Sequence, residues 1–139
     1  MGIEVNILAI ILAAVSSMVI GYFWYGSDKF GFGKQWARLS RIDLKKSSTP
    51  LALTSAAVSA IVMALGIAIA AFVWQEFSSA SFLSSALVVG LFVWLAFQAL
   101  RMFQRARFNQ EASGATVIHI ANEFVTVMVA ALIIGLLGA

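Results

Sequence analysis

Four apolar runs of about twenty residues, separated by two polar segments and one short turn, set the pattern of this chain. They cover about residues 3–25, 51–74, 82–100 and 116–137. A helix needs about 20 mostly apolar residues to cross the hydrocarbon core of a bilayer. Each run therefore predicts one transmembrane helix. Glu4 stands at the edge of the first run, the second carries no charge, and the fourth contains a single acid, Glu123. The first run has no basic segment before it, so it is expected to stay in the protein rather than serve as a cleaved leader.

The punctuation agrees with these limits. Ser48 and Thr49 precede Pro50, a cap followed by proline in the first helical turn. Ser79 and Ser81 precede the third run, and Ser113 and Gly114 the fourth. In the second run Ala52, Ala56, Ala60, Ala64 and Ala68 recur every fourth residue. Small residues at that spacing let helix backbones approach closely in lipid, within a bundle or between protomers. Gly21, Gly90 and Gly135 are expected to mark similar contacts.

Between the first two runs the pattern turns amphipathic over about residues 34–46. Lys34, Arg38, Arg41 and Lys45 fall within roughly 60° of one another on a helical wheel, with Trp36, Leu39 and Leu44 opposite. This predicts a short interfacial helix with its basic face toward anionic headgroups. The fold class expected is all-α: a four-helix membrane bundle with this short helix after the first span, forming a single domain over 1–139.

Composition sharpens the picture. The hydrophobic set makes up 62% of the 139 residues and the charged set 11%, against about 25% charged in soluble domains. That excludes a disordered chain and an ordinary water-soluble globule. The chain has no cysteine and one histidine, His119. Disulfides and thiolate chemistry are excluded, and neither a metal site within one chain nor a bound cofactor is expected.

Charge then orients the bundle. Lys29, Lys34, Arg38, Arg41, Lys45 and Lys46 lie between the first two runs, and Arg101, Arg105 and Arg107 between the last two. The termini and the 75–81 turn have no basic residue. The positive-inside rule puts both basic segments in the cytoplasm and both termini outside. Membrane topology explains the net +3 without a nucleic-acid partner.

Candidate chemistry is confined to polar residues at membrane depth. His119 and Glu123 are four residues apart on one helix face, with Asn122 beside them. Gln98 and Arg101 lie at a similar depth in the third run. Such groups are costly in lipid and face the bundle interior. They predict a buried polar clasp, closed by a Glu123–His119 pair or a Glu123–Arg101 bridge, or else a ligand or ion site. One histidine and one acid without a nucleophile make a poor catalytic set. Ser16 and Ser17 are expected to bond their own backbone, and Trp94 to serve packing.

Two motifs carry a likeness to known sequences: Gly21-Tyr-Phe-Trp24-Tyr25-Gly26, and Phe32-Gly33-Lys34-Gln-Trp36. They resemble the Gly-x-x-Trp-Tyr and Phe-Gly-Lys-x-Trp motifs of small prokaryotic four-span membrane proteins catalogued as a domain of unknown function, family 1761. The ending Ile133-Ile134-Gly135-Leu136 is similar too. Early in the last span that family carries an Asn and a Tyr-His pair, where this chain reads His119-Ile-Ala-Asn122-Glu123. The resemblance implies four spans and an integral membrane location, and no known activity.

The expected function is a non-catalytic structural or accessory subunit in the inner membrane, in contact with lipid and either self-associated or part of a larger complex. The alternative is a small oligomeric channel or carrier with a polar pathway around Glu123.

Overall fold

The computed structural model describes residues 5–26 and 31–138; Glu4 and Lys29 lie outside that set. Four helices are long and apolar enough to cross a membrane: Ile7–Gly26, Pro50–Ser78, Phe82–Phe108 and Ser113–Leu137. Among the described residues there is no strand. The all-α bundle expected from the apolar runs is the observed fold.

Local chemistry sets the helix starts. Thr49 Oγ1 accepts from Ala52 N–H at 3.1 Å, with Pro50 in the first turn. Ser81 Oγ accepts from Ser84 N–H at 3.2 Å. Ser79 instead ends the second helix in a left-handed conformation, φ 55°. The third helix does not stop near residue 100 but runs on to Phe108. Hydropathy marks where apolar sequence ends, whereas Leu, Arg, Met, Gln and Ala all favour continuing the helix. Within it, Trp94–Ala99 form a π-helical turn.

Each long helix packs beside the next in the chain, and the first packs beside the fourth, closing the ring. The core is small and tight: Ile10, Ala13, Ala64, Ile67, Ala68, Val89, Val127, Ala130, Ala131 and Ile134. The alanine repeat is buried only in part. Ala60, Ala64 and Ala68 are buried and Ala71 joins them, but Ala52 and Ala56 are exposed. Small side chains are covered only where a neighbouring backbone runs alongside, and the first two turns of the second helix lack that neighbour.

The glycines divide the same way. A Cβ on Gly90 would stand 2.7 Å from Ala131 Cβ, and one on Gly135 would stand 2.9 Å from Leu83 Cα. Gly21 marks no such contact among the described residues, since none of them lies within 4 Å of the corresponding position.

The segment expected as one helix over 34–46 is built as two, Gly33–Ser40 and Leu44–Ser47. Arg41 is left-handed at φ 55°, and Asp43 caps the second piece by accepting from Lys45 N–H at 3.0 Å. Lys34 and Arg38 therefore share a helix, while Arg41 is its cap and Lys45 belongs to the next. All four are exposed, but they do not form one helical face.

Candidate functional site

His119 lies in the second turn of the last helix, and two other elements reach it. Tyr25 comes from the end of the first helix, and its hydroxyl is 2.6 Å from His119 Nδ1. Trp36 comes from the short Gly33–Ser40 helix and donates its indole N–H to Nε2 at 2.7 Å. An indole nitrogen only donates. Nε2 must therefore be bare, and the neutral ring carries its proton on Nδ1 and donates it to the Tyr25 oxygen. The partners assign this tautomer. The three rings are packed together, with centroids 4.9 Å apart for Tyr25–Trp36, 5.2 Å for Trp36–His119 and 5.5 Å for Tyr25–His119.

The backbone explains how Tyr25 and Trp36 meet. Phe32 N–H donates to the Trp24 carbonyl at 2.7 Å, and the rings of these two residues lie 5.0 Å apart. Gly33 follows, buried against the Tyr25 carbonyl so closely that a Cβ there would overlap the oxygen. Trp36 N–H donates to the Phe32 carbonyl at 2.8 Å. The chain thus folds back on the end of the first helix, and the short helix lies across the start of the fourth. Leu39 closes the contact over Gly114, where a Cβ would stand 2.8 Å from Leu39 Cδ1.

Beside this cluster a cleft of about 220 Å³ is lined by Met102, Arg105, Glu111, Thr116 and His119. The His119 side chain forms part of the wall of this cleft, beside Arg105 and Glu111.

Glu123 is one turn further along the last helix. Helical spacing puts it on one stripe with Val127, Ala130 and Ile134, which lie in the core. It is thus directed into the bundle. Neither the Glu123–His119 pair nor the Glu123–Arg101 bridge forms among the described residues: both nitrogens of His119 are taken, and Arg101 is exposed. Asn122 is the polar side chain next to Glu123 on the last helix. Asn122 Oδ1 is buried without a hydrogen-bond partner, as is Thr126 Oγ1 one turn on.

Gln98 sits apart in the π turn. Its amide N–H donates to Met63 Sδ at 3.6 Å, and Oε1 is buried without a donor. The structure therefore joins His119 to Tyr25 and Trp36, keeps Glu123 with Asn122, and leaves Gln98 and Arg101 on the third helix. Trp94 packs on Phe124 with centroids 4.8 Å apart and donates to the Ile120 carbonyl at 3.1 Å. Ser16 and Ser17 both donate to the Ala13 carbonyl.

Tyr25, Gly33 and Trp36 were not singled out as partners of His119 by spacing, because they lie 83 to 94 residues away from it in the chain or act only through the backbone. The available signal was the pair of motifs that carry the family likeness, and all three residues belong to them. Residues 8–135 match a family model described as protein of unknown function, DUF1761. The chain belongs to that family. No curated protein and no solved structure matches it. In this member of DUF1761 the two motifs of the first half do one job together. They bring an aromatic acceptor and an aromatic donor to a single imidazole on the last helix.

Proposed function

We propose that this protein is a non-catalytic subunit of a membrane assembly, with both basic segments in the cytoplasm and its basic residues toward anionic headgroups. The observation that supports this reading is the closure of the His119 cluster. Both ring nitrogens are engaged by side chains of the same chain, which suits a structural role better than a catalytic one. A cluster satisfied in this way fixes the pairing of the first and last helices and the course of the segment between the first two. The exposed start of the alanine repeat, Ala52 and Ala56, is a surface suited to a neighbouring helix. The test is purification in a mild detergent followed by native mass measurement. A second polypeptide in fixed ratio, or a defined homo-oligomer lost in an Ala56→Leu variant, supports the reading. A monomer in every detergent and lipid condition overturns it.

A second reading is favoured by a different observation. Asn122 Oδ1 and Thr126 Oγ1 are buried oxygens without a hydrogen-bond partner, and both flank Glu123, which is directed into the core. Oxygens without a partner suit a small cation, so this is the set expected in a carrier or channel. Cation flux in proteoliposomes that disappears in Glu123→Gln would favour this reading over the first. Absence of flux for protons, sodium and potassium would remove it.

A further inference from the structure

We infer that the His119–Trp36 hydrogen bond is an acid-released latch that holds the basic segment 31–47 on the bundle. The argument begins with donor and acceptor chemistry. The Trp36 indole can only donate, so its 2.7 Å bond to Nε2 exists only while that nitrogen is bare. When hydronium gives a proton to Nε2 and leaves as water, the ring keeps its Nδ1–H and becomes a cation with donors on both sides. The indole N–H then faces another N–H, and the bond is lost. The Tyr25 bond survives, because the hydroxyl oxygen still accepts from Nδ1. Protonation thus separates the two halves of the cluster: His119 stays with the first helix, and the short helix loses its hold.

The cleft formed by Met102, Arg105, Glu111 and Thr116 supplies the route for that proton. The charged groups facing His119 oppose one another. Glu111 and Arg105, of opposite charge, line the same cleft as His119. Lys34 and Arg38 belong to the helix that carries Trp36, and Glu123 lies one turn along the same helix as His119. Tyr25 is the titratable group contributed by the first helix.

Much of the segment is exposed among the described residues. Within 31–47 only Gly33 is fully buried, with Trp36, Ala37, Leu39, Ser40 and Leu44 half-buried. Besides the turn at Phe32 and Gly33, Trp36 and Leu39 anchor it on the last helix. Losing the Trp36 anchor changes how Lys34, Arg38, Arg41 and Lys45 are held against the last helix. This inference goes beyond the proposed subunit role and holds whichever assembly the protein joins.

The single histidine and the lack of cysteine make the test direct. The full chain is placed in lipid nanodiscs with ¹⁵N-labelled histidine and tryptophan, and a spin label at Ser47→Cys. At pH 8 the expected result is one protonated and one bare ring nitrogen, a hydrogen-bonded Trp36 indole assigned through Trp36→Phe, and a restrained label. On acidification the imidazolium signal, the loss of the Trp36 bond and the release of the label share one midpoint. In His119→Gln the side-chain amide oxygen still accepts and cannot be protonated in this range, so the latch stays closed. In Trp36→Phe the midpoint rises by about half a unit to one unit, because the lost bond had favoured the bare nitrogen. The inference is overturned if His119 is protonated with the Trp36 bond intact, or stays neutral to pH 4. It is equally overturned if the same acid release persists in His119→Gln. Should that variant not fold, the Trp36→Phe midpoint decides, and an unmoved or lowered value counts against the latch.

Discussion

At the residue scale, single atoms decide how the basic end is built. Gly33 is the clearest case. Its buried Cα faces the Tyr25 carbonyl, and a methyl group there has no space. The neighbour is backbone, which cannot swing aside as a side chain would. Gly33→Ala is therefore expected to lower stability by about 1–3 kcal/mol, and to weaken the Trp36 indole bond with it. Denaturant unfolding in detergent, read beside the Trp36 signal, checks both effects. Tyr25→Phe removes the acceptor for Nδ1–H and leaves a half-buried donor unpaired. Its expected cost is about 1–3 kcal/mol, with the indole bond retained because Nε2 is untouched. Loss of the Trp36 bond in Tyr25→Phe would mean that the tautomer depends on the hydroxyl and would contradict the assignment.

At the scale of elements, the helices are held by close approach rather than by large side chains. Alanine supplies much of the core, and Gly90 and Gly135 let the third and fourth helices come nearer than any side chain permits. Lipid offers no hydrophobic drive between helices, so packing at short range takes its place. Gly90→Val should cost about 1–3 kcal/mol by overpacking against Ala131 and Val127. Gly66→Ala has open space and should be neutral or stabilising by about 0.5–1 kcal/mol, since alanine is the better helix former. Thermal unfolding of the two variants in the same detergent distinguishes a packed glycine from an unpacked one. The π turn Trp94–Ala99 adds a local change of register in the third helix, just where Trp94 meets the last helix and Gln98 meets Met63.

At the scale of the whole molecule, the ring of antiparallel helices puts the start of the first helix and the end of the last at one end of the bundle. Asn6 reaches across to donate to the Leu137 carbonyl at 3.2 Å, while Tyr25 meets His119 at the other end. Single cysteines at Asn6, Ser79 and Gly138 should therefore react with an impermeant reagent from one side, and cysteines at Lys46 and Asn109 from the other. Labelling of Asn6 and Gly138 from opposite faces would refute the bundle itself. Labelling of both from the cytoplasm would leave the bundle intact and overturn only the proposed orientation.

The sequence alone determined the parts of this protein that depend on short-range pattern. Runs of apolar residues about twenty long can be satisfied in lipid only as helices, so their number and order follow from the chain. Thr49-Pro50 and Ser81 mark helix starts because capping involves residues three apart, and Glu123 stands out because an acid in such a run is costly. The DUF1761 motifs were also visible as patterns. Their purpose was not, because it depends on bringing residue 119 beside residues 25 and 36. Only the tertiary structure decided that His119 pairs with Tyr25 and Trp36 rather than with Glu123. The reason lies in geometry: residues four apart on a helix share a face, but Nδ1 and Nε2 point outward to whatever neighbouring elements supply. Likewise the alanine repeat looks uniform in sequence, yet only its second half meets a neighbour. Burial belongs to the pair of helices, whereas periodicity belongs to one.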